Sequence, residues 1–145
     1  MTLILPLLAV VLGGVAIAVQ APLNAALSRS LGAPLPAAAV SFGVGFVLLL
    51  ALSLATSPAA FARLTSVPLW QLGGGILGAW YVWAVIWGLP SLGAVSAIAA
   101  LILGQMTAAL VLDAIGAFGM TVHAITPQRL LAAALVAAGL VLSRL

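Results

Sequence analysis

The sequence predicts an all-α integral membrane protein with five transmembrane helices per chain. Three observations carry this. Four arginines and one aspartate are the only charged side chains in 145 residues, or 3% of the chain, where a soluble domain holds about a quarter. The apolar stretches lying between those charges run about 20 residues each, the length of helix that crosses a ~30 Å hydrocarbon core. Mean hydropathy is +1.44, which leaves no supply of polar residues for an aqueous surface. Because a backbone in hydrocarbon must satisfy its own hydrogen bonds, the spans are expected to be helices.

The first helix is expected from Leu3 to Ser28, with no charge before Arg29. Its opening, Leu3 to Ala18, looks like a secretory signal, but no Lys or Arg precedes it and a signal normally has a basic leading region; it is read as the first span. Gly13, Gln20 and Asn24 fall within about 60° of one another at 100° per residue. Pro22 lies between the two amides and gives the Ala18 carbonyl no donor, which predicts a kink and a free acceptor nearby. Amides in a span cost free energy unless they face protein or water. Two readings stay open: interhelical amide bonding, or the polar wall of a solute cavity.

The second helix is expected from Pro36 to Thr56, followed by one interfacial helical turn, Pro58 to Leu64, led by Ser57 and carrying Arg63. The third runs from Pro68 to Gly88 with Ser66 as a cap. Trp70 and Trp87 are seventeen residues apart in it, about 25 Å of helix, which fits an aromatic belt at both interfaces. Trp80, Trp83 and Trp87 form an i, i+3, i+7 stripe that serves either packing or the binding of cations and flat ligands. Gly74 and Gly78 make a G-x-x-x-G pair, a frequent device for close helix approach.

The fourth helix is expected from Pro90 to Leu112. Ser96, Ala100, Gly104 and Ala108 repeat every four residues and make a ladder of small side chains, the pattern of a helix-contact or dimer face. Gln105 sits beside it. Asp113, the only acid, closes this span. An embedded acid is a candidate for proton or cation coupling, while its terminal depth favours water or an ion pair with Arg129. The connection Ala114 to Ile125 carries His123. The fifth helix is expected from Pro127 to Ser143, capped by Thr126. Four of the five starts fall on proline, whose missing N–H suits the first turn.

The net charge of +3 is read as arginines at headgroup level that set orientation, not as a surface for nucleic acid. The chain has no cysteine and one histidine, so it offers no thiolate chemistry and no metal-ligand set. No nucleophile, base and orienter occur together, and neither an enzyme nor a cofactor is expected. With five spans, Arg63 and Arg129 fall on one side of the bilayer and Arg29 and Arg144 on the other. An excess of Lys and Arg in cytoplasmic loops orients a membrane protein, and here the count is level. Either a weaker signal decides, or the chain inserts both ways and pairs with an inverted copy.

The order Q-A-P-L-N-A-A-L (Gln20 to Leu27), V-S-F-G-V-G (Val40 to Gly45), G-G-x-L-G-A-W (Gly74 to Trp80) and G-Q-M-T-A-A-L-V-L-D-A-I-G-A-F-G (Gly104 to Gly119), closed by L-V-A-A-G-L-V-L, resembles the YdcZ family. These are short members of the drug/metabolite transporter superfamily. The resemblance covers essentially the whole chain. It implies a multi-pass protein of the bacterial inner membrane, and a half-transporter that becomes ten-helical as an antiparallel homodimer or beside an oppositely oriented paralogue. The superfamily's acid near the end of the fourth helix is similar in place to Asp113. A membrane-centred glutamate like that of the small multidrug exporters is missing, which puts a proton-for-cation mechanism in doubt.

The expectation is therefore one five-helix transmembrane domain, residues 1–145, that exports a small organic solute by alternating access. Gln20, Asn24 and Gln105 would give hydrogen bonds and Trp80 and Trp83 a flat apolar wall. A passive channel formed by an inverted dimer, or a non-transporting membrane scaffold, remain as alternatives; amides consumed in helix contacts would favour the scaffold.

Overall fold

The computed structural model describes residues 3–145. Among the described residues every regular element is helical. Four helices are long and apolar enough to cross a membrane, and the chain divides into two compact units, residues 1–90 and 91–145.

The first unit opens with α1 (Ile4–Leu31), which continues through Pro22 and ends where Gly32 takes φ 76°. The helix runs three residues past the expected end at Ser28 and so takes Arg29 into its last turn, where a cation meets the negative end of the helix dipole. Ala33 is extended, and α2 (Pro34–Thr56) starts there, one proline earlier than expected; either proline suits a first turn, and the extended residue decides. A 3-10 helix over Pro58–Ser66 follows, longer than the single turn expected. The Ser66 hydroxyl donates to the Arg63 carbonyl at 2.7 Å. It closes that segment and does not cap the third helix.

A 3-10 turn over Leu69–Leu72 leads into α3 (Gly73–Leu92). Pro90, expected to open the fourth helix, lies inside the last turns of α3. The break falls instead at Gly93, whose φ of 75° is open to glycine at little cost. Within the unit, α1 packs on α2. Ala37 and Ala38 of α2 bury against Val82 and Ile86 of α3, with Leu27, Tyr81 and Trp83 around them. The two alanines leave room for these larger side chains of α3.

The second unit is a helical hairpin, α4 (Ala94–Ile115) and α5 (Pro127–Leu142). Thr126 accepts from the Arg129 N–H at 3.4 Å, the expected cap. The 16 residues of α5 span about 24 Å, so four helices and not five reach full crossing length on their own. Between them Gly116 (φ 60°) and Gly119 (φ 82°) turn the chain, and the His123 N–H returns to the Asp113 carbonyl at 2.9 Å.

Gly116 carries the tightest constraint in this turn. A Cβ there would lie 2.7 Å from Val122 Cγ2 and 3.0 Å from the Met120 carbonyl, on a left-handed backbone. Gly116→Ala should therefore destabilise by about 1–3 kcal/mol, read by thermal unfolding of purified protein in detergent. Gly104→Ala, whose Cβ meets nothing within 4 Å, should change stability by less than about 0.5 kcal/mol.

Candidate functional site

On α1, Ile17, Gln20, Ala21 and Asn24 follow the i, i+3, i+4, i+7 spacing of one helical stripe. They face Tyr81, Val82, Val85 and Ile86 of α3 across a cleft of about 10 Å³, room for one water molecule. Asn24 is only 8% exposed. Among the described residues neither its amide nor that of Gln20 has a protein hydrogen-bond partner, and no buried side-chain nitrogen or oxygen is left unsatisfied, so both amides open onto the cleft. Each amide brings one acceptor oxygen and two N–H donors. The pair is thus a neutral surface of hydrogen-bond donors and acceptors along one wall of the cleft.

The other residues singled out in the sequence lie elsewhere. Trp80 is exposed and Trp83 half-buried, and neither lines the cleft. The indoles instead contact one another, Trp80 to Trp83 at 5.0 Å between centroids and Trp83 to Trp87 stacked at 6.0 Å and 9°. Gly13 and Gly74 face open space, while a Cβ on Gly78 would touch the Phe42 ring at 3.5 Å. In the second unit Gln105 is exposed, as are Ala100, Gly104 and Ala108 of the small-residue ladder. Its first member, Ser96, is 4% exposed.

Ser96 belongs to one of two polar contacts that fasten the hairpin. Its hydroxyl shares a 2.9 Å hydrogen bond with the Ser143 hydroxyl and reaches the Ser143 carbonyl at 3.3 Å. Close by in sequence, Arg144 Nη1 donates to the Leu92 carbonyl at 3.1 Å. At the other end Arg129 Nη2 donates to Asp113 Oδ2, and its Nη1 reaches the Ala124 carbonyl at 3.4 Å. The anticipated ion pair forms, and both side chains remain about a third exposed.

Sequence reasoning named two of the cleft's residues and missed Tyr81 and Ser143 as partners. For Tyr81 a signal existed: it shares a helix stripe with Val85, next to Val82 and Ile86, on a face separate from Trp80, Trp83 and Trp87. Ser143 gave no signal, since its pairing with Ser96 depends on the hairpin's register.

A family model described as "Putative inner membrane exporter, YdcZ" matches residues 5–142. The chain belongs to the YdcZ family. It is a multi-pass inner-membrane protein, and its family is described as one of exporters, a description of transporters rather than enzymes. No curated protein and no solved structure matches it closely enough to add a second comparison.

The Asp113 to Arg129 pair is open enough to water that its contribution is small. Asp113→Asn and Arg129→Gln should each lower stability by about 1 kcal/mol or less, with a coupling of similar size in the double-mutant cycle. Unfolding of the four proteins in one detergent measures it.

Proposed function

We propose that the chain is one half of an alternating-access exporter of small, polar organic solutes, completed by an inverted copy of itself or by an oppositely oriented paralogue. The observation that supports this most is Asn24, nine-tenths buried and unbonded to protein, opening with Gln20 onto the α1 and α3 cleft. Amides that held helices together would be bonded across an interface; these are not, which favours solute handling over a scaffold. Gln20 lies within one turn of the midpoint of α1, the depth at which inverted-repeat transporters bind solute. A space for one water is far below the ~300 Å³ of a small-molecule pocket. On this reading the pocket is finished by surfaces of the partner.

Five crossings are part of the proposal. The two polar contacts of the hairpin stand seventeen residues apart on α4 and fourteen apart on α5, about 25 and 21 Å. This supports α5 traversing nearly the same slab as α4. Two arginines then lie on each side of the bilayer, which supports dual insertion. The open ladder face at Ala100, Gly104 and Ala108 is the proposed dimer contact, and Asp113 the group through which protons would couple, if any does.

Dual insertion predicts that a reporter fused after Leu145 gives signal on both sides of the membrane, and that two or three lysines added to one loop bias it. Signal on one side alone would leave only the heterodimer. Gly104→Leu should reduce dimer content in detergent while the protomer stays folded; unchanged dimer content would remove the ladder from the interface.

Function is tested by screening solutes for thermal stabilisation of the purified protein, then measuring flux of a stabilising solute in proteoliposomes. Saturable flux supports a carrier, unsaturated flux near channel rates a pore, and no flux with any stabilising solute a scaffold. Asn24→Leu, which fills the cleft and removes the amide, should cut saturable flux at least about tenfold, as expected for loss of one or more buried hydrogen bonds.

A further inference from the structure

The 3-10 segment Pro58–Ser66 builds a second opening that solute handling does not use. With three residues per turn, side chains at i and i+3 eclipse. Ser57, Ala60 and Arg63 therefore form one row and Phe61, Leu64 and Val67 another. Both rows line a cleft of about 280 Å³ against the last turn of α2, where Ser53 adds a hydroxyl. Among the described residues the Arg63 guanidinium and the Ser53 and Ser57 hydroxyls have no protein hydrogen-bond partner. The backbone around them is satisfied, with the Ser57 N–H on the Ser53 carbonyl at 2.8 Å and the Ala60 N–H on the Ser57 carbonyl at 3.0 Å. The segment is exposed and follows directly on the crossing-length helix α2, which puts it at the level of the lipid headgroups.

We propose that this cleft binds the headgroup of an anionic phospholipid, with Arg63, Ser53 and Ser57 on the phosphate and Phe61, Leu64 and Val67 along the start of the acyl chains. A guanidinium makes paired, charge-assisted hydrogen bonds to phosphate oxygens, and the two hydroxyls supply further donors. The preference for an anionic lipid follows from what the lining lacks. A zwitterionic headgroup carries an ammonium that calls for an acid, and the chain's one acid, Asp113, is paired with Arg129. The cleft keeps an uncompensated positive charge. Beside it, the three apolar side chains give a surface that free phosphate does not use.

The test uses the purified full chain in detergent with short-chain phosphatidylglycerol, short-chain phosphatidylcholine or inorganic phosphate, bound lipid being counted by native mass spectrometry. Wild-type protein should prefer phosphatidylglycerol over phosphatidylcholine by about fivefold, the size of one arginine's attraction to anionic lipid. Arg63→Gln should abolish that preference, and Arg29→Gln, which changes an arginine outside the cleft, should keep it. Should Arg63→Gln fail to fold, Ser53→Ala combined with Ser57→Ala should weaken binding of both lipids severalfold and keep the preference, because the hydroxyls meet the phosphate that the two lipids share while Arg63 supplies the charge. The proposal is overturned if Arg63→Gln keeps the preference, if the double serine variant, where it is used, binds both lipids as tightly as wild type, or if Arg29→Gln loses the preference equally. Inorganic phosphate displacing the lipid at equal concentration would also overturn it, since the site would then be one for a free anion.

Discussion

A backbone N–H or C=O left unpaired in hydrocarbon costs several kcal/mol, and that cost governs the whole chain. It makes every described regular element a helix and pushes irregular backbone to the ends of the spans. The ends show how this is met. Gly32, Gly93 and Gly116 take positive φ where helices stop or restart, prolines sit in the first turns of α2 and α5 where no donor is missed, and Thr126 accepts the Arg129 N–H. With the backbone satisfied internally, side chains are left to pack against neighbours or lie in lipid. Small residues then make room for large ones where helices meet, as Ala37 and Ala38 do for Val82 and Ile86. Lipid is as apolar as leucine, so close approach rather than hydrophobic burial draws helices together.

The same scarcity of polar groups gives the few that remain definite positions. In the second unit those that pair side chain to side chain stand at both ends of the hairpin, hydroxyls at Ser96 and Ser143 and charges at Asp113 and Arg129. Neither contact is strong. A neutral hydrogen bond contributes about 1 kcal/mol and a partly exposed ion pair about as much or less. Their effect is on register: sliding α5 along α4 by one turn would separate both pairs together. Asp113 is held doubly, its carboxylate by Arg129 and its carbonyl by the His123 N–H, so the turn at Gly116 and the ion pair fix each other.

How much of this was legible in the sequence follows from the range of the interactions involved. Helical class and the Asp113 to Arg129 pair were readable, because composition and short separation settle them locally. Helix starts at proline were readable in part. Proline is compatible with a first turn but does not require one, and Pro90 sits in the last turns of α3 because the decisive break is the positive φ at Gly93. Gln20 and Asn24 stood out as amides in an apolar span, and the cleft gathers them. What closes that cleft was not readable: the tryptophans drew attention by rarity, while the side of α3 that meets α1 carries Tyr81, Val82, Val85 and Ile86. Which side of a uniformly apolar helix faces a neighbour is decided by shape, and hydropathy carries little of that information.

The amide cleft also bears on what an exporter of this kind would carry. A water in the cleft can bond to both the Asn24 and the Gln20 amide at small entropic cost. A solute that displaces the water and returns its hydrogen bonds loses little, whereas an apolar solute leaves each amide unpaired at about 1–3 kcal/mol. For Asn24, the more buried of the two, that is at most roughly one to two powers of ten in affinity, and the half-buried Gln20 adds less. Neither amide is charged, so the pair offers no counter-ion to a cation or an anion, and the discrimination it supplies is for polarity and hydrogen-bond pattern rather than for charge. On the proposed reading, the cleft therefore favours neutral, hydrogen-bonding solutes, and any recognition of charge must come from groups beyond it.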